Sequence, residues 1–142
     1  MSKPAPKQIM PMIAVDSVDE IRAFYVETLG FEHMMGVVGK DGQLDFCTVM
    51  LGGARLMFMR PPVPVGVAKA SPAKQPVEIY LEVADVNGYH DRLGQAGVRL
   101  TEGLTDQWWG DRTFKVIDPR GYEIWFYQTV GEVKPPQGAK IV

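Results

Sequence analysis

The chain has 142 residues and a mass of 15.8 kDa, enough for one ordinary domain that buries a core without staples. Its 46% hydrophobic and 23% charged residues are a globular composition, which excludes long disorder. A net charge of −2 argues against nucleic acid or an anionic membrane as a partner, and the lone Cys47 excludes an intramolecular disulfide and suits a reducing compartment. The start, MSKPAPKQ, has no apolar signal region, and no apolar run approaches the ~18 residues that cross a bilayer. The expectation is a cytoplasmic, soluble domain.

Residues 1–8 read as a loose polar arm. IMPMIAV (9–15) reads as a strand, with Met10, Met12 and Ala14 on one face and Ile9, Ile13 and Val15 on the other. Pro11, which cannot donate to a ladder, suits an edge. Ser17 and Glu20 form a capping box that opens a helix, along which Val18, Ile21, Tyr25 and Leu29 make an apolar stripe ending at Gly30. A strand over Glu32–Val38, a turn at Lys40-Asp41-Gly42, and two strands, LDFCTVML and ARLMFM, joined at Gly52-Gly53 complete the first half.

Residues 61–76 are rich in Pro and Ala, follow neither period, and read as a linker. VEIYLEV (77–83) reads as a strand with Glu78, Tyr80 and Glu82 on one face. Asp85 is the expected N-cap of a helix carrying Val86, Tyr89 and Leu93 and ending at Gly97. A strand over 98–104 and a loop, TDQWWGD, follow. VIDPRGYEIWFY (116–127) predicts two adjacent strands joined by a turn at Asp118, Pro119 and Gly121. Past that turn Ile124 and Phe126 face one side, Trp125 and Tyr127 the other, and a polar tail begins at Gly131.

Shifting the chain by 68 residues places Val15 on Val83, Gly53 on Gly121, Leu56 on Ile124 and Phe58 on Phe126. The helical stripe matches too, with Val18, Ile21 and Tyr25 falling on Val86, Tyr89 and Leu93. Strand, stripe and glycine turn coincide together, which predicts two copies of a β-α-β-β-β unit.

FYVETLGF (24–31), this repeat, and DPRGYEIWF (118–126) resemble the vicinal oxygen chelate superfamily, which contains glyoxalase I, bleomycin-resistance proteins and extradiol dioxygenases. The resemblance covers residues 8–130 and implies an α+β fold, with two tandem units curling a mixed sheet half-open around a cavity and helices outside. The division it implies is unit one over 8–60, a linker at 61–76, unit two over 77–130 and a tail at 131–142. Many such proteins are homodimers, and a homodimer is expected.

In metal-dependent members four His, Glu or Gln side chains hold one divalent cation. The resemblance places those positions at Met10, Met57, Glu78 and Trp125, and the 68-residue offset relates Met10 to Glu78 and Met57 to Trp125. Only Glu78 is a good ligand for such an ion, so no metal or other cofactor is expected. His33 and His90 lie off the cavity strands and read as solvated histidines. Cys47 reads as a buried strand cysteine.

Met10, Met12, Met57, Met59, Glu78, Tyr80, Trp125 and Tyr127 are then the expected cavity lining, with Trp108 and Trp109 closing over it. Thioethers and rings favour a planar, apolar or aromatic guest, and Glu78 or Glu82 would pair with a cationic group on it. Alternatively, the Met residues and Trp125 fill the concavity as core, and the Trp pair is a dimer contact. The leading expectation is a metal-independent small-molecule binding protein of the bleomycin-resistance type. A metal-dependent lyase or dioxygenase is the alternative. A third reading is a metal-free lyase or isomerase using Glu78 as the catalytic base, its pKa raised among Met and Trp.

Overall fold

Ser17 begins the first helix as its capping box predicts, its Oγ accepting from the Glu20 N–H at 3.2 Å. The computed structural model describes residues 8–61 and 75–142, so all but the last residue of the expected arm (1–8) and most of the expected linker (61–76) lie outside the described residues. The chain divides into two units, Met1–Lys69 and Ala70–Val142.

In unit one β1 (Met12–Ala14) leads into α1 (Val18–Ala23), and β2 (Glu32–Val38), β3 (Leu44–Leu51) and β4 (Ala54–Met59) follow. The sheet order is β1-β4-β3-β2, with β1 parallel to β4 and the other pairs antiparallel. The expected strand over 9–15 contracts to three residues. Pro11 offers its carbonyl to the Met57 N–H at 2.9 Å but has no N–H to return, and Ile9 is 91% exposed. The expected single helix is also two forms: α1 passes at Phe24–Thr28 into a π-helical turn, closed by Leu29 N–H donating to Phe24 O at 3.0 Å. The apolar stripe survives, because Val18, Ile21, Tyr25 and Leu29 are all buried and Tyr25 packs 4.9 Å from Phe58.

Unit two repeats this order. It contains β5 (Glu78–Glu82), α2 (Val86–Gln95), β6 (Leu100–Asp106), β7 (Asp111–Ile117) and β8 (Glu123–Thr129), in the sheet order β5-β8-β7-β6 with β5 parallel to β8. The offset of 68 holds for the parallel pair, Met12 pairing with Met57 as Tyr80 pairs with Trp125, while β3 corresponds to β7 at 67, Phe46–Met59 matching Thr113–Tyr127. Asp85 caps α2 through Gly88 N–H at 3.1 Å, just where Ser17 caps α1. Tyr89 packs 4.8 Å from Phe126, and Phe114, Val116, Ile124 and Phe126 are fully buried on the helix-facing side.

Two expectations in this unit change. Strand β6 lies two residues later than 98–104, because Val98 N–H is taken by Leu93 O at the helix end. At the other end the Asp106–Arg112 pair, at 2.6 Å, extends the ladder with β7. The Trp-containing loop is thereby cut to residues 107–110. His33 is exposed as expected. His90 is half-buried, with its ring edge-on to Phe114 at 5.4 Å and Nδ1 3.0 Å from Asp91.

The turn between β7 and β8 forms at the predicted residues. Asp118 O accepts from Gly121 N–H at 3.1 Å, and Asp118 Oδ1 accepts from the N–H groups of Arg120 and Tyr122 at 2.8 and 3.0 Å. Gly121 sits at φ +86°, a conformation that side chains with a Cβ resist. Among the described residues no helix is long and apolar enough to cross a membrane.

Candidate ligand-binding face

Each sheet has a face turned away from its helix, and strand alternation sets what that face displays. In unit two it carries Tyr80 of β5, Trp125 and Tyr127 of β8, and Asp111, Thr113 and Lys115 of β7, placed by the pairs Tyr80–Trp125, Thr113–Tyr127 and Lys115–Trp125. Tyr80 and Tyr127 stack with centroids 4.3 Å apart, Trp125 lies 5.6 Å from Tyr80, and Trp109 lies 6.1 Å from Trp125.

Polar bonds tie these rings down. Trp109 Nε1 donates to the Tyr80 hydroxyl at 2.8 Å, which donates to Asp111 Oδ2 at 2.6 Å; Thr129 Oγ1 donates to Asp111 Oδ1 at 2.8 Å. Tyr127 donates to Glu82 and Trp125 Nε1 to Glu78, each at 3.0 Å. Lys115 Nζ sits 3.8 Å from the Trp125 ring centre, with Glu102 at 3.7 Å and Glu123 at 3.9 Å. Gln107 Nε2 donates to Thr113 at 2.9 Å and to Glu102 at 3.2 Å.

Loss of water around its hydroxyl, then the bond to the Asp111 carboxylate, push Tyr80 up to about 12, against a smaller opposing effect of the Trp109 bond. Tyr127 is raised as well, by desolvation and then by its bond to Glu82. Both phenols therefore stay neutral at ordinary pH and act as hydrogen-bonding groups. Glu78 is exposed, accepting the Trp125 indole rather than lying sunk among apolar side chains.

In unit one the corresponding face carries Met12, 57% exposed, and half-buried Met57 and Met59, with Met10 half-buried ahead of β1. Trp108 and Trp109 meet edge to face, with centroids 5.5 Å apart, but border different surfaces. Trp109 joins the aromatic face, whereas Trp108, 42% exposed, lines a recess of about 330 Å³ with Arg112, Val130 and Lys134. Sequence reasoning missed Asp111, Thr113, Lys115 and Glu102. The polar-apolar alternation of DRTFKVI was the signal for three of them.

The model of the glyoxalase/bleomycin resistance protein/dioxygenase superfamily matches residues 7–126. The chain belongs to this superfamily. A relative from Mycobacterium bovis, named only as an uncharacterized protein, is 32% identical over 129 residues, covering 88% of this chain and 85% of the relative. The bleomycin-binding protein of Streptomyces verticillus, solved with copper(II)-bleomycin, is 26% identical with a TM-score of 0.64, covering 93% of this chain and all of that one. TnmS3, an antibiotic binding protein from Streptomyces sp. CB03234, is 25% identical with a TM-score of 0.64, covering 89% of this chain and 99% of that one. TioX from Micromonospora sp. ML1, at 23% identity and a TM-score of 0.69 over 88% of this chain and all of that one, shares the fold.

The superfamily's metal-dependent chemistry needs a donor set that these four positions do not supply. Met10 and Met57 offer soft thioethers, and Trp125 presents an N–H already directed at Glu78. Of the four positions, Glu78 alone carries a good donor for a hard or borderline divalent ion. Among the described residues no group of three or more His, Cys, Asp or Glu side chains could hold a metal ion.

Proposed function

We propose that the protein binds a planar aromatic or drug-like molecule without a metal ion, as a non-catalytic member of the bleomycin-resistance type. The observation that carries this reading is the ring cluster of Tyr80, Trp109, Trp125 and Tyr127, pinned by hydrogen bonds and bordered by carboxylates. Rings held in place lose little freedom when a flat guest stacks on them, which favours binding. Glu78, Glu82 and Asp111 accept from the rings, and Glu102 and Glu123 lie 3.7 and 3.9 Å from the Lys115 ammonium, so carboxylates border the cluster and a cationic group on the guest is favoured. The two relatives described as binding bleomycin or an antibiotic support the same class. We further propose that Met10, Met12, Met57 and Met59 make the corresponding face of unit one a soft apolar surface for ligand contact.

The protein is proposed to act as a homodimer in a reducing cytoplasm. The outer strand β2 supports the dimer, with Met34, Met35, Val37 and Val38 from 39% to 65% exposed. Titrating the protein with planar cationic antibiotics while following tryptophan fluorescence tests the binding. Saturable quenching, lost in Trp125→Ala, is expected; no quenching by any of them would remove the support.

A further inference from the structure

The hydrogen-bonded chain Trp109–Tyr80–Asp111–Thr129 starts in the 107–110 turn and ends on the last residue of β8. Immediately beyond that residue the backbone doubles back onto the same turn. Val130 N–H and Gly131 N–H both donate to Gly110 O, at 2.9 and 3.0 Å, and Lys134 N–H donates to Trp108 O at 2.6 Å. Gly110 has φ +97°, and a Cβ there would lie 2.6 Å from Gly131 O. Gly110 is thus required both by its conformation and by the closeness of the returning backbone.

We propose that residues 130–134 form a strap that sets the conformation of the Trp-containing turn, making Gly110 and Gly131 positioning residues for the aromatic face. The strap fixes the turn; the turn sends the Trp109 indole to the Tyr80 hydroxyl; that bond and Asp111 orient Tyr80 for stacking. The effect on ligand binding rests on the function proposed above, whereas the effect on Trp109 does not.

The test compares Gly110→Ala, Gly131→Pro and Gly131→Ala in the full chain. Gly131→Pro removes one strap donor. Gly131→Ala keeps it, and its Cβ meets nothing within 4 Å. The readout is the indole N–H resonance of Trp109, identified by its disappearance in Trp109→Phe. We expect it to move to the position of a solvent-exposed indole in Gly110→Ala and Gly131→Pro, with far-UV circular dichroism unchanged, and to stay in Gly131→Ala. Affinity for the planar cationic antibiotic used above should fall about tenfold in the first two, as for one lost hydrogen bond. An unmoved resonance in folded Gly131→Pro overturns the strap, even if Gly110→Ala fails to fold. A moved resonance with full affinity overturns the positioning role. A moved resonance in a protein whose parent binds none of the probes upholds the strap and removes the proposed function.

Discussion

Tyr80 stacks on Tyr127, receives the Trp109 indole and donates to Asp111, so one hydroxyl joins β5, β7 and the turn. Replacing it by Phe leaves Asp111 short of a donor and should cost about 1 kcal/mol in chemical denaturation, with a red shift of Trp109 emission. Its ionisation is displaced from the usual 10 to about 12, so an absorbance titration at 295 nm should lose this late component in Tyr80→Phe. The unfolded chain gives up this proton first, so the contribution to stability is complete below pH 10 and is lost as pH rises towards about 12. Cys47 behaves similarly for a simpler reason: burial pushes its thiol up to about 11. Thiol reagents at pH 8 should leave it unmodified in the folded protein and label it on unfolding. That Tyr80 shares a strand face with Glu78 and Glu82, and Trp125 one with Tyr127, was legible from strand alternation; bringing the two strands' faces together needed the family resemblance. Their hydrogen bonds were not, because Asp111 and Trp109 reach Tyr80 from 31 and 29 residues away.

Local signals wrote the elements. Ser17 and Asp85 cap the helices they were expected to cap, and DPRG closes the β7–β8 turn through its own side chain and glycine. Gly121→Ala should cost about 1–2 kcal/mol through φ strain, and Asp118→Ala about 1–3 kcal/mol by stranding two amides, both read by thermal unfolding. Boundaries set by long-range partners were hidden. The end of β6 depends on Arg112 meeting Asp106 across the ladder, and the shortening of β1 on which of its neighbours can pair with Pro11. The change from α- to π-helix at Phe24 left no mark on the stripe, because residues four apart stay on one side in either form.

At the scale of the whole chain, two copies of one plan have acquired different chemistry. Equivalent ladder positions hold Met12 and Met57 in one unit and Tyr80 and Trp125 in the other. The repeat and its superfamily were readable because apolar periodicity and turn residues recur at a fixed offset. The proposed function was readable only as the departure of three of four positions, Met10, Met57 and Trp125, from the ligands that a divalent ion needs. Binding without metal is tested by repeating the fluorescence titration on protein stripped with a chelator and verified by elemental analysis. The same quenching curve is expected before and after stripping; a divalent ion bound one per chain, whose removal abolishes the quenching and whose return restores it, would overturn metal-free binding.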